Sequence, residues 1–294
     1  MPDATRKPTP SESQAQRAGD GAYVRVVQAP MATNQPPGFA ALVCAAGATG
    51  SIAAAALSPD ELRSEIRAMP DGTRYAVNVF APPYLKDDVL QVVLDERPPI
   101  LSFTFGIVDT APLRDAGIEI WGTATSTDEA RLLRDAGVDV VVAQGAEAGG
   151  HRGSFADGFP LVPLDELLQA IDVDLPVVAA GGIVDRHDVA RARELGAAGV
   201  QVGTAFLFTH ECGRPPAHLA ALREHDTVVT DAYTGRPMRA ARDEVLQALM
   251  DETPLPYPQQ RRVSAERGPL YMGGTAARRC REQSVAELVA ELCA

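Results

Sequence analysis

A chain of 294 residues, 46% of them apolar, is long enough to bury a full core as one large domain. Its net charge of −12 opposes any polyanion, so nucleic acid and acidic membrane surfaces are excluded as partners. The longest apolar runs, such as Ile52–Leu57, are far too short to span a bilayer, and the first twenty residues hold no apolar signal core; a soluble cytoplasmic protein acting on a small molecule is expected.

In chain order, a tail rich in Pro, Ser and charge comes first (Met1–Gly19), and residues 1–22 are expected to be disordered. From Tyr23 to Phe208, short β-rich apolar runs alternate with helical patterns, the mark of βα units around a parallel sheet. Eight strands are predicted: Tyr23–Ala29, Gly50–Ala54, Tyr75–Phe80, Pro99–Thr104, Ile118–Gly122, Val138–Ala143, Pro176–Ala180 and Gly199–Val202. Helix starts are legible at Ser58-Pro59-Asp60-Glu61 and Ser126-Thr127-Asp128-Glu129, where a capping hydroxyl precedes early acidic residues. Eight such units close naturally into a (β/α)8 TIM barrel over residues 23–210, with an open doubly wound sheet as the alternative. Past Phe208 the alternation stops. Helices near Pro215–Glu224, Asp243–Met250 and Ser284–Leu292, with a Pro-rich stretch Thr253–Pro258, predict a small, mainly helical capping part over residues 211–294.

Two side-chain inventories narrow the chemistry. Cys44, Cys212, Cys280 and Cys293 have no paired short spacing, which points to packed thiols rather than a zinc site or a disulfide framework. The lysines are Lys7, in the tail, and Lys86, at the polar start of a predicted helix (Tyr84–Leu94); neither has the desolvated setting of Schiff-base chemistry. His187, His210, His218, His225 and Asp157 form no convincing metal set and are expected at exposed polar positions.

In a barrel, ligands bind where the strands end, so the residues just past each strand carry the function. Strand one ends in Ala29-Pro30-Met31, strand three carries Asn78, strand six runs through Gln144 into QGAEAGGHRG, strand seven leads to Gly181-Gly182, and strand eight to Gly203-Thr204. Glycines after strands seven and eight let bare backbone N–H groups meet a phosphate, with the Thr204 hydroxyl beside them, although the same glycines also serve tight turns. Asn78 and Gln144 carry the donors and acceptors that the edge of a flat heteroaromatic ring such as an isoalloxazine requires, or else both amides are satisfied within the barrel core. His151, after Gly149-Gly150, is aimed by its loop at whatever binds there.

With these residues in place, the chain resembles the FMN-dependent nitronate monooxygenases, also called 2-nitropropane dioxygenases. The likeness runs from about Val24 to Leu292 and is carried by VVQAPM (Val26–Met31), VNVF (Val77–Phe80), SFTFG (Ser102–Gly106), VVAQGAEAGGHRG (Val141–Gly153), PVVAAGGI (Pro176–Ile183) and GVQVGTAFL (Gly199–Leu207). The resemblance implies a flavin-binding TIM barrel with a smaller capping part. It implies FMN contacts at Asn78, Gln144, Gly149, Gly181 and Gln201-Val202-Gly203-Thr204, alongside the backbone of Ala29, Pro30 and Met31; the paired glycines Gly150 and Gly182 are expected at the same site. It makes His151 the catalytic histidine, and it implies oxidation of alkyl nitronates or nitroalkanes with O2 to a carbonyl compound and nitrite. The chain departs from the family at Thr33–Pro37, at Gly47-Ala48-Thr49-Gly50 and at Met272–Ala276, which bear on the substrate pocket.

Several readings stay open on the sequence. Glu147 either orients His151 or holds its own loop by accepting backbone N–H bonds. In TDAYTGRPMR (Thr230–Arg239), Arg236 either faces a phosphate or anionic substrate or fixes a turn beyond the barrel. Trp121 belongs either to the mouth or to the core. An NAD(P)H-dependent quinone or enoyl-thioester reductase, or a non-catalytic flavin-binding protein, are the functional alternatives on the same fold.

Overall fold

A computed structural model describes residues 26–155 and 161–294. The expected disordered tail, the first three residues of the predicted first strand and Asp157 lie outside the described residues. Eight parallel strands form the barrel wall: β1 (Val26–Gln28), β2 (Gly50–Ala53), β3 (Tyr75–Phe80), β4 (Ile100–Thr104), β5 (Glu119–Ala124), β6 (Val140–Gln144), β8 (Val177–Ala180) and β9 (Gly199–Val202). Their order is β1-β9-β8-β6-β5-β4-β3-β2. The ring closes where Val27 bridges Thr49 in parallel, with Gln28 N–H donating to the Thr49 carbonyl at 2.9 Å and Thr49 N–H to Val26 at 3.0 Å.

Continuous β-branched runs make these strands because both faces are buried. Val27, Ala76, Ile100, Trp121, Val140, Val142, Val178 and Ala180 form one packed cluster inside the ring, and the intervening residues, such as Leu101, Phe103 and Ile120, meet the surrounding helices. Trp121 is therefore a core residue. Its indole N–H donates to Glu119 at 2.7 Å, near the amino end of β5 and away from the mouth.

Capping fixes where the covering helices begin. Ser58 and Glu61 exchange hydrogen bonds around Pro59 at the start of the helix Pro59–Arg67, and Ser126 caps Thr127–Asp135 by accepting from Glu129 N–H. Beyond the barrel, the expected helices appear as Pro216–Glu224, Glu244–Met250 and Val285–Cys293. The last reaches back to the helices Phe39–Ala45 and Arg186–Glu194, so Leu288, Val289 and Leu292 join the same core as Phe39, Val189 and Phe206.

The extension also contains strands that the sequence did not reveal. β10 (Thr227–Thr230) pairs antiparallel with β11 (Met238–Ala241), and β11 pairs with β7 (Gly150–His151), placing Met238 opposite His151. None exceeds four residues. A two-residue strand carries no periodicity to detect, so this sheet is specified by pairing and not by local pattern. Through it, the extension grips the loop that carries the histidine.

Candidate active site

The residues that end the strands converge on one cavity with about 1480 Å3 of free space counted out to open solvent. Ala29, Pro30 and Met31 enter from β1, Asn78 from β3, Gln144 with Gly149, Gly150 and His151 from β6 and its loop, Gly181 and Gly182 from β8, and Gln201, Gly203 and Thr204 from β9. Val202 does not. Alternation along β9 turns its side chain into the core while Gln201 faces the cavity, and its contribution is a carbonyl that accepts Ala29 N–H at 2.8 Å.

The first loop is held by residues from the divergent segment. Gln35 accepts Met31 N–H at 2.9 Å and donates to the Ser51 carbonyl at 2.8 Å, while Arg214 donates to the Asn34 side chain at 3.0 Å. Thr33 lines the cavity and accepts from Arg261 at 3.2 Å.

His151 sits in an aromatic surround. Phe80, Phe105 and Tyr257 approach its ring edge to face at centroid distances of 6.4, 5.8 and 5.5 Å. Burial pushes the imidazole pKa down to about 3, with Arg261 and Arg236 adding repulsion, so the ring is neutral at physiological pH. Nε2 lies 3.2 Å from the Thr234 hydroxyl. Glu147 does not contact His151; its carboxylate accepts Leu164 N–H at 3.0 Å and holds its own loop.

Buried arginines tie that loop together. Arg152, fully buried, donates to the carbonyls of Gly145 at 2.6 Å and Gln144 at 3.0 Å. Arg239 donates to the Ala146 carbonyl at 2.7 and 2.9 Å. Burial lowers the Arg152 pKa to about 10, which still leaves it charged at neutral pH. Arg152→Met is expected to lower unfolding free energy by about 2–4 kcal/mol, because two buried carbonyls lose their donors. Urea denaturation measures this, and a midpoint equal to wild type would show that the loop does not depend on the guanidinium.

The polar groups fall into two sets. Gln144 is spent on the loop: its carbonyl accepts Gly153 N–H at 2.8 Å and its amide donates to the His151 carbonyl at 3.0 Å. Asn78 donates to Ser102 at 3.0 Å, whereas the Thr104 hydroxyl, also on the cavity wall, is buried with no protein partner among the described residues. Such an orphaned hydroxyl can be satisfied by a water or by a ligand atom in the cavity. Opposite, Gly181 holds φ +117°, and a side chain on Gly149 would place its Cβ 2.5 Å from the Gly273 backbone, so bare backbone walls this end. Among the described residues lining the space, Arg261 is the single charged one and none is a carboxylate. A glycine-lined wall, an orphaned hydroxyl and the lack of a carboxylate among the described lining residues fit a flat, phosphate-bearing cofactor.

Arg236 settles the alternative posed by its motif. It donates to the Ser154 carbonyl and stacks 4.0 Å over the Phe105 ring centroid, which fixes the turn instead of facing the cavity. His218, expected at the surface, is buried and bonds the Met272 carbonyl at 2.9 Å, because the helix carrying it packs on the cavity wall segment Met272–Gly274. Phe80, Phe105, Tyr257 and Arg261 went unrecognised in the sequence. The first two lie at or just beyond strand ends and were accessible to the strand-end rule; Tyr257 and Arg261 sit in the extension, where no motif marks them.

A family model described as nitronate monooxygenase matches residues 72–294. The chain is 36% identical to a probable nitronate monooxygenase of Staphylococcus saprophyticus, over 81% of this chain and 82% of that relative. It is 34% identical to a probable nitronate monooxygenase of Bacillus subtilis, over 80% of this chain and 82% of that relative. Among solved structures, a nitroalkane oxidase from Streptomyces ansochromogenes superposes with a TM-score of 0.85 at 34% identity, covering 91% of this chain and 94% of that one. FabK from Thermotoga maritima superposes with a TM-score of 0.77 at 28% identity, covering 91% of each chain.

Proposed function

The chain belongs to the nitronate monooxygenase family, and we propose that within it the protein oxidises alkyl nitronates, and neutral nitroalkanes more slowly, with O2 in an FMN-dependent reaction that releases a carbonyl compound and nitrite. The family makes it an oxidoreductase, a flavoenzyme that oxidises nitro compounds. The cofactor named here is FMN because glycines at the ends of β6, β8 and β9 line the cavity, while no G-x-G-x-x-G dinucleotide fingerprint follows a strand in the sequence.

The observation that carries the substrate assignment is electrostatic. Among the described residues the cavity pairs a neutral His151 with one cation, Arg261, and no carboxylate, so an anion the size of a nitronate enters favourably. The chemistry FMN supplies when bound is acceptance of electrons from the substrate carbon and their delivery to O2. Gly149, Gly181, Gly182, Gly203 and Thr204 would hold its phosphate, and Asn78, Thr104 and Gln201 its ring. For a neutral nitroalkane, His151 takes the acidic C–H proton, and the electron pair of that bond moves into the nitro group to give the nitronate. Because burial disfavours the imidazolium, preformed nitronate is the easier substrate.

The test is anaerobic mixing of the purified flavoprotein with an alkyl nitronate, and separately with NADH or NADPH. Rapid bleaching of the flavin band by nitronate, with the nicotinamides inert over the same interval, is expected. Bleaching by NAD(P)H with no response to nitronate would move the assignment to a reductase, and a flavin inert to every donor would make the chain a non-catalytic flavin binder.

A further inference from the structure

We propose that Thr234 is a positioning residue that holds His151 as the Nε2–H tautomer, leaving Nδ1 as the nitrogen that accepts the substrate proton. The inference rests on the assignment of His151 as the base. It is carried by the hydrogen-bond capacity of one buried hydroxyl.

Thr234 is fully buried, and its Oγ1 stands within reach of three groups. It lies 2.7 Å from the Arg236 carbonyl, 3.3 Å from the Arg236 N–H and 3.2 Å from His151 Nε2. A carbonyl only accepts, so the single hydroxyl proton goes to Arg236 O. The backbone N–H takes one lone pair. What remains for His151 is a lone pair, which can bond Nε2 only if that nitrogen carries hydrogen. In the other tautomer two lone pairs would face each other across a part-buried contact. A neutral imidazole protonated on Nε2 has its basic lone pair on Nδ1.

The Thr234–Pro237 turn is built to keep that hydroxyl still. Gly235, at φ +78°, lies so close to the segment carrying Tyr257 that a Cβ would sit 2.6 Å from the Tyr257 N. Arg236 is pinned between Phe105 and the Ser154 carbonyl, and the Pro237 carbonyl accepts Arg152 N–H at 2.9 Å. The turn thus bonds the segment that follows His151 at Arg152 and Ser154, stacks on the Phe105 ring and abuts the backbone of Tyr257. Among the described residues, the charged and titratable groups facing the imidazole are Arg236, Arg261 and Tyr257, and Nε2 has a hydrogen-bond partner only in Thr234.

Long-range 1H–15N NMR of the FMN-loaded protein, with the His151 signals identified by their loss in His151→Gln, reads the tautomer directly. Wild type is expected to show Nε2 protonated and Nδ1 bare. Thr234→Val, close to isosteric, should show mixed tautomers and lose on the order of tenfold or more in kcat on a neutral nitroalkane with KM little changed. Thr234→Ser should restore both. An Nδ1-protonated ring in wild type overturns the proposal, as does Thr234→Val with wild-type tautomer and kcat. If the valine variant does not fold, the wild-type and serine spectra still decide. Full turnover in His151→Gln would instead strike the assignment of the base, while the spectra judge the Thr234 contact separately.

Discussion

Replacing His151 by alanine is expected to leave FMN retention unchanged and to lower turnover of a neutral nitroalkane on the order of a hundredfold or more, with a smaller loss on preformed nitronate. The imidazole stands in the wall beside Phe80, Phe105 and Tyr257, and the groups proposed to hold FMN are other residues, so its removal affects proton transfer before it affects binding. The same surround fixes the pH response. Burial, then Arg261 and Arg236, hold the pKa at about 3 against an ordinary value of 6.5, so the free-base form is present throughout pH 5–8. The acid limb of kcat/KM should therefore show no histidine titration between pH 5 and 8. In stability the sign is also fixed: the unfolded chain binds the proton first, so the contribution of a neutral His151 is complete above about pH 6.5 and is lost as pH falls toward 3. Stopped-flow turnover on the two substrate forms across that range checks both statements. Equal rates for wild type and His151→Ala on both would remove the residue from the chemistry.

Gly181→Val should abolish flavin retention. At φ +117° the position is hostile to any side chain, and a Cβ would lie 2.9 Å from Ala148 N, pressing apart the loops after β6 and β8 that wall the proposed phosphate end. Gly137→Val is the matched control. It too has positive φ, +80°, but its Cβ meets the end of the Arg114 side chain, at the carboxyl end of the helix Thr127–Asp135 and remote from the cavity. The control should lose stability and keep its flavin. Gly203→Ala, at an ordinary φ of −115° and with its Cβ 3.3 Å from Ala29, should fold normally and retain flavin more weakly. Flavin absorbance per folded protein separates the cases, and full occupancy in Gly181→Val would place the phosphate elsewhere.

Much of this molecule was legible before any coordinates. The strand runs are β-branched and buried on both faces, helix starts carry Ser caps, and a barrel obliges its ligands to the strand ends; Asn78, Gly181 and Gly203 follow from those rules. What alternation decides residue by residue was less secure. Val202, expected in the site, turns to the core, and Gln144, read as a ring partner, gives both ends of its amide to the loop.

The sequence by itself determined the barrel, because hydrophobic period, caps and glycine spacing act over a few neighbouring residues; its motifs carried the resemblance to the family and singled out His151 as the candidate base. Tertiary structure alone decided how that histidine is held. Thr234 lies 83 residues from His151, and Arg261 lies 228 from Thr33. Contacts at such separations leave no local pattern, since any of several arginines or hydroxyls satisfies the same propensities. Only the pairing of β7 with β11 and the packing of the extension against the mouth select which of them faces the cavity, which one fixes a turn, and which nitrogen of the imidazole is left bare.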